Sequence, residues 1–108
     1  MEIKTEKEKN ITVVTVEGKI DAVTAPTFEK ALLNLIDKGE FSFLLNFSKL
    51  EYISSAGLRS ILAVAKQLKS KDGRILFLGL RGPVKDVFNI SGFGTIFKVF
   101  ENREDALA

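Results

Sequence analysis

The adjacent hydroxyls of Ser54 and Ser55 are the groups in this chain best placed for chemistry. They lie in Tyr52-Ile53-Ser54-Ser55-Ala56-Gly57-Leu58, after an apolar run from Phe41 to Phe47 and before Leu58 to Leu68, where apolar residues recur at helical spacing. Serines at a strand-to-helix turn stand beside the unpaired N–H groups of a helix N-terminus, where negative charge is favoured. The chemistry that suits such a place is acceptance of a phosphate, which would switch a small binding surface on or off.

Catalytic alternatives lack their parts. With neither histidine nor cysteine, a Ser-His-Asp triad and thiolate chemistry are impossible, and the commonest general base and metal ligand are missing. The chain has no Gly-x-Ser-x-Gly elbow and no Gly-x-x-x-x-Gly-Lys phosphate cradle. Three residues beyond Ser55 stands Leu58, not a lysine, and Asn46 and Ser48 occupy the place where a phosphoaspartate site needs carboxylates. Asp21 is the one acidic residue in a suggestive loop, and a lone loop aspartate is more often a turn or cap residue. The expectation is a binding protein, not an enzyme, without cofactor or metal.

Cap register separates the two serines. With Ser54 as the N-cap, Ile53 precedes the cap and Leu58 sits four residues into it, the arrangement of a hydrophobic staple. With Ser55 as the cap the staple pair would be Ser54 and Arg59, which has no apolar sense. Ser54 therefore caps, and Ser55 takes the first helical position with an unengaged hydroxyl. Gly57 costs about 1 kcal/mol in a helix relative to alanine. Its expected return is room for another backbone or a partner, with Ala56 and Gly57 leaving Ser55 bare. Residue types alone leave both a purely structural cap and a modified or contact serine open.

The elements that position this turn follow from pattern. At 108 residues the chain has the size of one domain spanning 1–108. A net charge of +2 with interspersed signs gives no nucleic-acid footprint, and no apolar stretch is long enough for a membrane span or a signal peptide, so a cytoplasmic protein is expected. Glu2 to Glu8 reads as a charged edge strand and Ile11 to Val16 as a β-branched strand, with Asn10 in the turn between them. Thr24 caps a first helix with Pro26 in its first turn, and Phe28, Ala31, Leu32, Leu35 and Ile36 form its stripe. Phe41 to Phe47 is a central strand, apolar on both faces. The helix after the turn buries Leu58, Ile61, Leu62, Ala65 and Leu68, and Arg74 to Leu78 is the next strand. A short helix from Gly82-Pro83 turns in Val84, Val87 and Phe88 and breaks at Ser91-Gly92-Phe93-Gly94. Thr95 to Phe100 is a last strand, and Asn102 caps a terminal helix. The expected fold is α/β, a mixed sheet with helices packed on it in the order β-β-α-β-α-β-α-β-α.

Gly18-x-Ile20-Asp21-x-x-Thr24-Ala25, Asn46-Phe47-Ser48 and Tyr52-Ile53-Ser54-Ser55-Ala56-Gly57-Leu58 together resemble the STAS domain of bacterial anti-sigma-factor antagonists. Val84-Lys85-Asp86-Val87-Phe88 followed by Ser91-Gly92 resembles the late helix and turn of that family, so the likeness runs along the whole chain. The resemblance implies a STAS-like fold and a partner-switching protein. Unphosphorylated, such an antagonist binds an anti-sigma factor that is also a serine kinase, and so frees a sigma factor. Phosphorylation of the turn serine abolishes binding, and a serine phosphatase restores it. The family's phosphoserine falls on Ser55, with Ser54 the less favoured candidate; many members have aspartate where this chain has Ser54. The implied partner face comprises Asp21, Thr24, Ser54, Ser55, Ala56, Gly57, Leu58 and Arg59. Neither nucleic acid nor membrane is an expected partner. An alternative is a STAS docking module of a stress-sensing or lipid-transport assembly without phosphate turnover. A more remote one is nucleotide binding or hydrolysis.

Overall fold

The computed structural model describes residues 1–108. β1 (Glu2–Glu8) and β2 (Ile11–Ile20) form an antiparallel hairpin across the Lys9-Asn10 turn. α1 (Ala25–Asp37), β3 (Ser42–Asn46), β4 (Leu50–Ile53) and α2 (Ser55–Lys69) follow. β5 (Arg74–Leu78), α3 (Gly82–Ser91), α4 (Phe93–Ile96), β6 (Lys98–Phe100) and α5 (Arg103–Leu107) complete the chain. The sheet runs β1-β2-β3-β5-β6, parallel from β2 onward, with β1 and β6 at its edges. β3 is the central strand that its two apolar faces predict, with Phe43, Leu44 and Leu45 fully buried.

The expected element order is present with two short additions. Tyr52-Ile53 is not merely a turn: it belongs to β4, which pairs in parallel with the far end of β2. Four residues are too few to show a strand period in sequence, and only the edge offered by β2 makes β4 a strand. The second addition is α4. Thr95 and Ile96 are helical instead of opening the last strand, because Thr95 Oγ1 donates to the Gly92 carbonyl (2.7 Å) and Phe93 turns inward. The Phe93 ring lies 5.5 Å from those of both Phe88 and Phe97, and these join Phe77, Phe47 and Phe28 in one run of edge and tilted contacts. Aromatic pairs in such geometry contribute roughly 0.5–1.5 kcal/mol each beyond their burial.

α1, α2 and α3 cover one face of the sheet and enclose the larger core, around Phe28, Phe47, Ile61 and Phe77. α5 lies on the other face, where Ala106 packs with Val13 and Leu44. Arg103 fastens α5 to β1 through Glu6 and Glu8. Asn102 caps α5 as expected, its side-chain oxygen accepting from the Asp105 N–H at 2.9 Å.

The stripe of α2 differs from the expected one. Gly57, Ser60, Ile61, Val64 and Leu68 are buried, whereas Leu62 is exposed. α2 packs against α1 on one flank as well as on the sheet, which rotates its buried line toward Ser60; that hydroxyl donates to the Ala25 carbonyl of α1 (3.4 Å). Val87 in α3 is half-buried, while Val84 and Phe88 are buried as expected.

Candidate functional site

The site is assembled by a change of partner along β2. Its first half pairs with β3 and its last three residues with β4, and the register shifts between Gly18 and Lys19. Gly18 adopts φ +94° there, a left-handed conformation that side chains disfavour. This bulge carries Ile20 beside Ile53, and the Ser54 N–H donates to the Ile20 carbonyl at 2.8 Å. Two segments more than thirty residues apart in sequence thereby meet at the start of α2.

Ser54 has the extended backbone of an N-cap (φ −91°, ψ 172°), and its Oγ accepts from the Gly57 N–H at 3.2 Å. Ile53 precedes the cap and is buried, and Leu58 packs against the same core, which is the staple that cap register requires. Ser55 follows as the first helical residue. It is exposed, and its hydroxyl takes part in no hydrogen bond within the chain. The two serines have divided the work: one closes the helix, the other faces solvent.

Of the two returns expected from Gly57, close approach within the chain and room for a partner, the structure shows the first. Gly57 is buried, and a Cβ there would lie 2.6 Å from Ile53 Cγ1 and 2.8 Å from Ile20 Cγ2. The missing side chain lets α2 sit directly on the ends of β2 and β4, so Gly57 belongs beneath the candidate face instead of on it.

Thr24 does not cap α1. Its backbone is helical and its hydroxyl donates to the Lys19 carbonyl (2.9 Å) while accepting from the Asp21 N–H (2.9 Å). No side chain bonds the first N–H groups of α1; Asp21 instead closes the turn before it, its Oδ1 accepting from the N–H groups of Val23 and Thr24, each at 3.0 Å. These bonds, those of Thr24 foremost, hold the Asp21 carboxyl below its ordinary pKa because they favour the ionised form. The Gly18-x-Ile20-Asp21-x-x-Thr24 pattern thus reads as one device: bulge, packing partner for Gly57, and turn. Asp21 and Thr24 shape the loop beside Ser55 through their own backbone bonds.

The remaining members of the expected face do gather. Ser55 and Arg59 are exposed, with Ala56 and Leu58 half-buried. Ala56 and Arg59 also line a groove of about 530 Å³ between α2 and α1, whose opposite wall includes Ala22, Pro26, Glu29 and Leu33. Sequence reasoning did not find the α1 wall, since the stripe of α1 points to the core and only its packing against α2 brings the other flank into use. Leu33 is the legible signal: an aliphatic residue of α1 outside the predicted stripe that lines this groove. No cluster of acidic, histidine or cysteine residues could hold a metal ion, and no helix is long and apolar enough to cross a membrane.

Comparison with known proteins adds the following. The model of the STAS domain family matches residues 2–106. A Bordetella bronchiseptica protein, BtrV, described as a candidate anti-sigma factor antagonist, is 39% identical over 108 residues, covering 100% of this chain and 93% of that one. The crystal structure of an anti-sigma factor antagonist from Mycobacterium paratuberculosis superposes with a TM-score of 0.86 at 27% identity, covering 98% of this chain and 90% of that one. The Bacillus cell fate determinant SpoIIAA, in its phosphorylated form, shares the fold at a TM-score of 0.76 and 21% identity, covering 98% of this chain and 96% of that one.

Proposed function

This chain belongs to the STAS domain family, and on that footing we propose that it is an anti-sigma-factor antagonist switched off by phosphorylation of Ser55. One observation carries the reading: Ser54 supplies the cap, so Ser55 stands exposed with a free hydroxyl at the first position of α2. The start of α2, the Asp21–Thr24 loop and the adjoining α1/α2 groove form the surface that the anti-sigma factor occupies. That partner is also the serine kinase, and a phosphatase reverses the mark. The protein acts in the cytoplasm as a regulator of transcription, by binding instead of catalysis.

A phosphate on Ser55 adds about −1.5 to −2 charge at a helix N-terminus, where the macrodipole favours it. Arg59 is one turn further on and engaged in no ion pair, so the modified helix keeps its fold. The cost falls on the complex, where an unpaired dianion must lose water at several kcal/mol. About 5.5 kcal/mol carries a two-state equilibrium from 99:1 to 1:99, so the mark suffices without a change of fold.

The test is mass spectrometry of the chain after incubation with its cognate anti-sigma factor and ATP. One phosphate is expected on wild type and on Ser54→Ala, none on Ser55→Ala, and Ser55→Asp should fail to capture the anti-sigma factor that Ser55→Ala still binds. Phosphate on Ser54, or equal capture by Ser55→Asp and Ser55→Ala, would refute the assignment. Capture without any phosphate transfer would favour a docking module that has no phosphate turnover.

A further inference from the structure

A second groove lies along the C-terminal half of α2, on the flank away from α1. Leu62, Lys66 and Lys69 stand along it at helical spacing, and with Arg74 of β5, Ile96 at the end of α4 and Phe97 after it they line its volume of about 380 Å³. Leu62 is 44% and Ile96 64% exposed, an arrangement that leaves two aliphatic side chains in water at the groove's rims. Its three cations are Lys66, Lys69 and Arg74, and no acidic residue lines it. None of the three is in an ion pair, although Lys4, Lys7, Lys49 and Arg103 all find carboxylates within this chain.

We propose that this groove docks an acidic amphipathic helix of a partner protein, through a contact that begins about two helical turns beyond Ser55 along α2. Charge complementarity selects the occupant: apolar side chains seat on Leu62, Ile96 and the groove floor, while flanking carboxylates meet Lys66, Lys69 and Arg74. The dimensions fit, since Leu62 to Lys69 spans about 10 Å along α2, which two turns of a docked helix cover with an i, i+3, i+4 set of anchors. The surface is concave, with Leu68 almost fully buried in its floor. A lipid surface would instead ask for apolar side chains projecting beyond the basic ones. The contact lies toward the C-terminal half of α2, so phosphate at Ser55 leaves it intact.

The probe is a synthetic capped peptide with leucine at i, i+3, i+4 spacing and glutamate between, titrated into the isotope-labelled full chain and followed by amide chemical shifts. Shifts are expected at Leu62–Lys69, Arg74 and Ile96. Affinity should fall about tenfold or more in Lys66→Glu/Arg74→Glu, fall in the milder Lys66→Gln/Arg74→Gln, and be unchanged in Ser55→Asp. Equal binding of a peptide with lysine in place of glutamate would overturn the proposal. So would shifts centred on Ser54–Arg59, unchanged affinity in both double variants, no binding of the acidic peptide, or binding only to vesicles of phosphatidylcholine and phosphatidylserine.

Discussion

Replacing Gly57 by alanine tests how the candidate site is held. On propensity alone the change should stabilise α2 by up to about 1 kcal/mol. Packing opposes it, since the new methyl would lie 2.6 Å from Ile53 Cγ1 and 2.8 Å from Ile20 Cγ2. Both isoleucines are buried, at 2% and 0% exposure, and both are β-branched, so neither can swing away without moving its strand end. Overpacking of this kind costs about 1–3 kcal/mol, and the upper half applies where two rigid neighbours are met at once. Displacing Ile53 also moves Ser54, whose cap is worth about 1 kcal/mol. The net expectation is a loss of about 1–2 kcal/mol. With a urea slope of about 2 kcal/mol per molar, the unfolding midpoint should fall by about 0.5–1 M. An unchanged or raised midpoint would refute the claim that Gly57 exists for the contact between α2 and the strand ends.

The two serines should separate by stability as well as by modification: Ser54→Ala is expected to lose about 1 kcal/mol through its cap, while Ser55→Ala stays within about 0.5 kcal/mol of wild type in the same urea titration. A reversed order would place the cap on Ser55. Acid unfolding reports on Asp21. Its folded carboxyl has a pKa below the ordinary value, so its contribution is fully present above about pH 3.9 and disappears as the pH falls through the folded value. Asp21→Asn should therefore lose stability less steeply than wild type below that pH, and superimposable acid limbs would show that the turn does not depend on the charge.

Phe41–Phe47 and Arg74–Leu78 are readable as near-continuous apolar runs because strands covered on both faces must leave water at successive residues, and the stripe of α1 is readable because a one-sided helix buries residues at a period of 3.6. The assignment of Ser54 as cap and Ser55 as first helical residue is equally local, since Ile53 and Leu58 report the register without knowledge of the rest of the fold. The reading of Gly57 was not local. Whether a helix-start glycine opens toward a partner or closes on its own chain depends on what lies opposite, here Ile20, delivered by the bulge at Gly18 from more than thirty residues away. Thr24 misled for a related reason: threonine is a good cap, and the Lys19 carbonyl, which claims the Thr24 hydroxyl, is near only because β2 ends where it does.

Sequence alone thus determined the order of the main elements and the division of labour between two serines, because spacing along one chain segment carries that information. Tertiary structure decided β4, the tilt of α2 that exposes Leu62, and both grooves beside that helix. Each of these depends on the distance between segments remote in sequence, and that distance exists only once the core has closed.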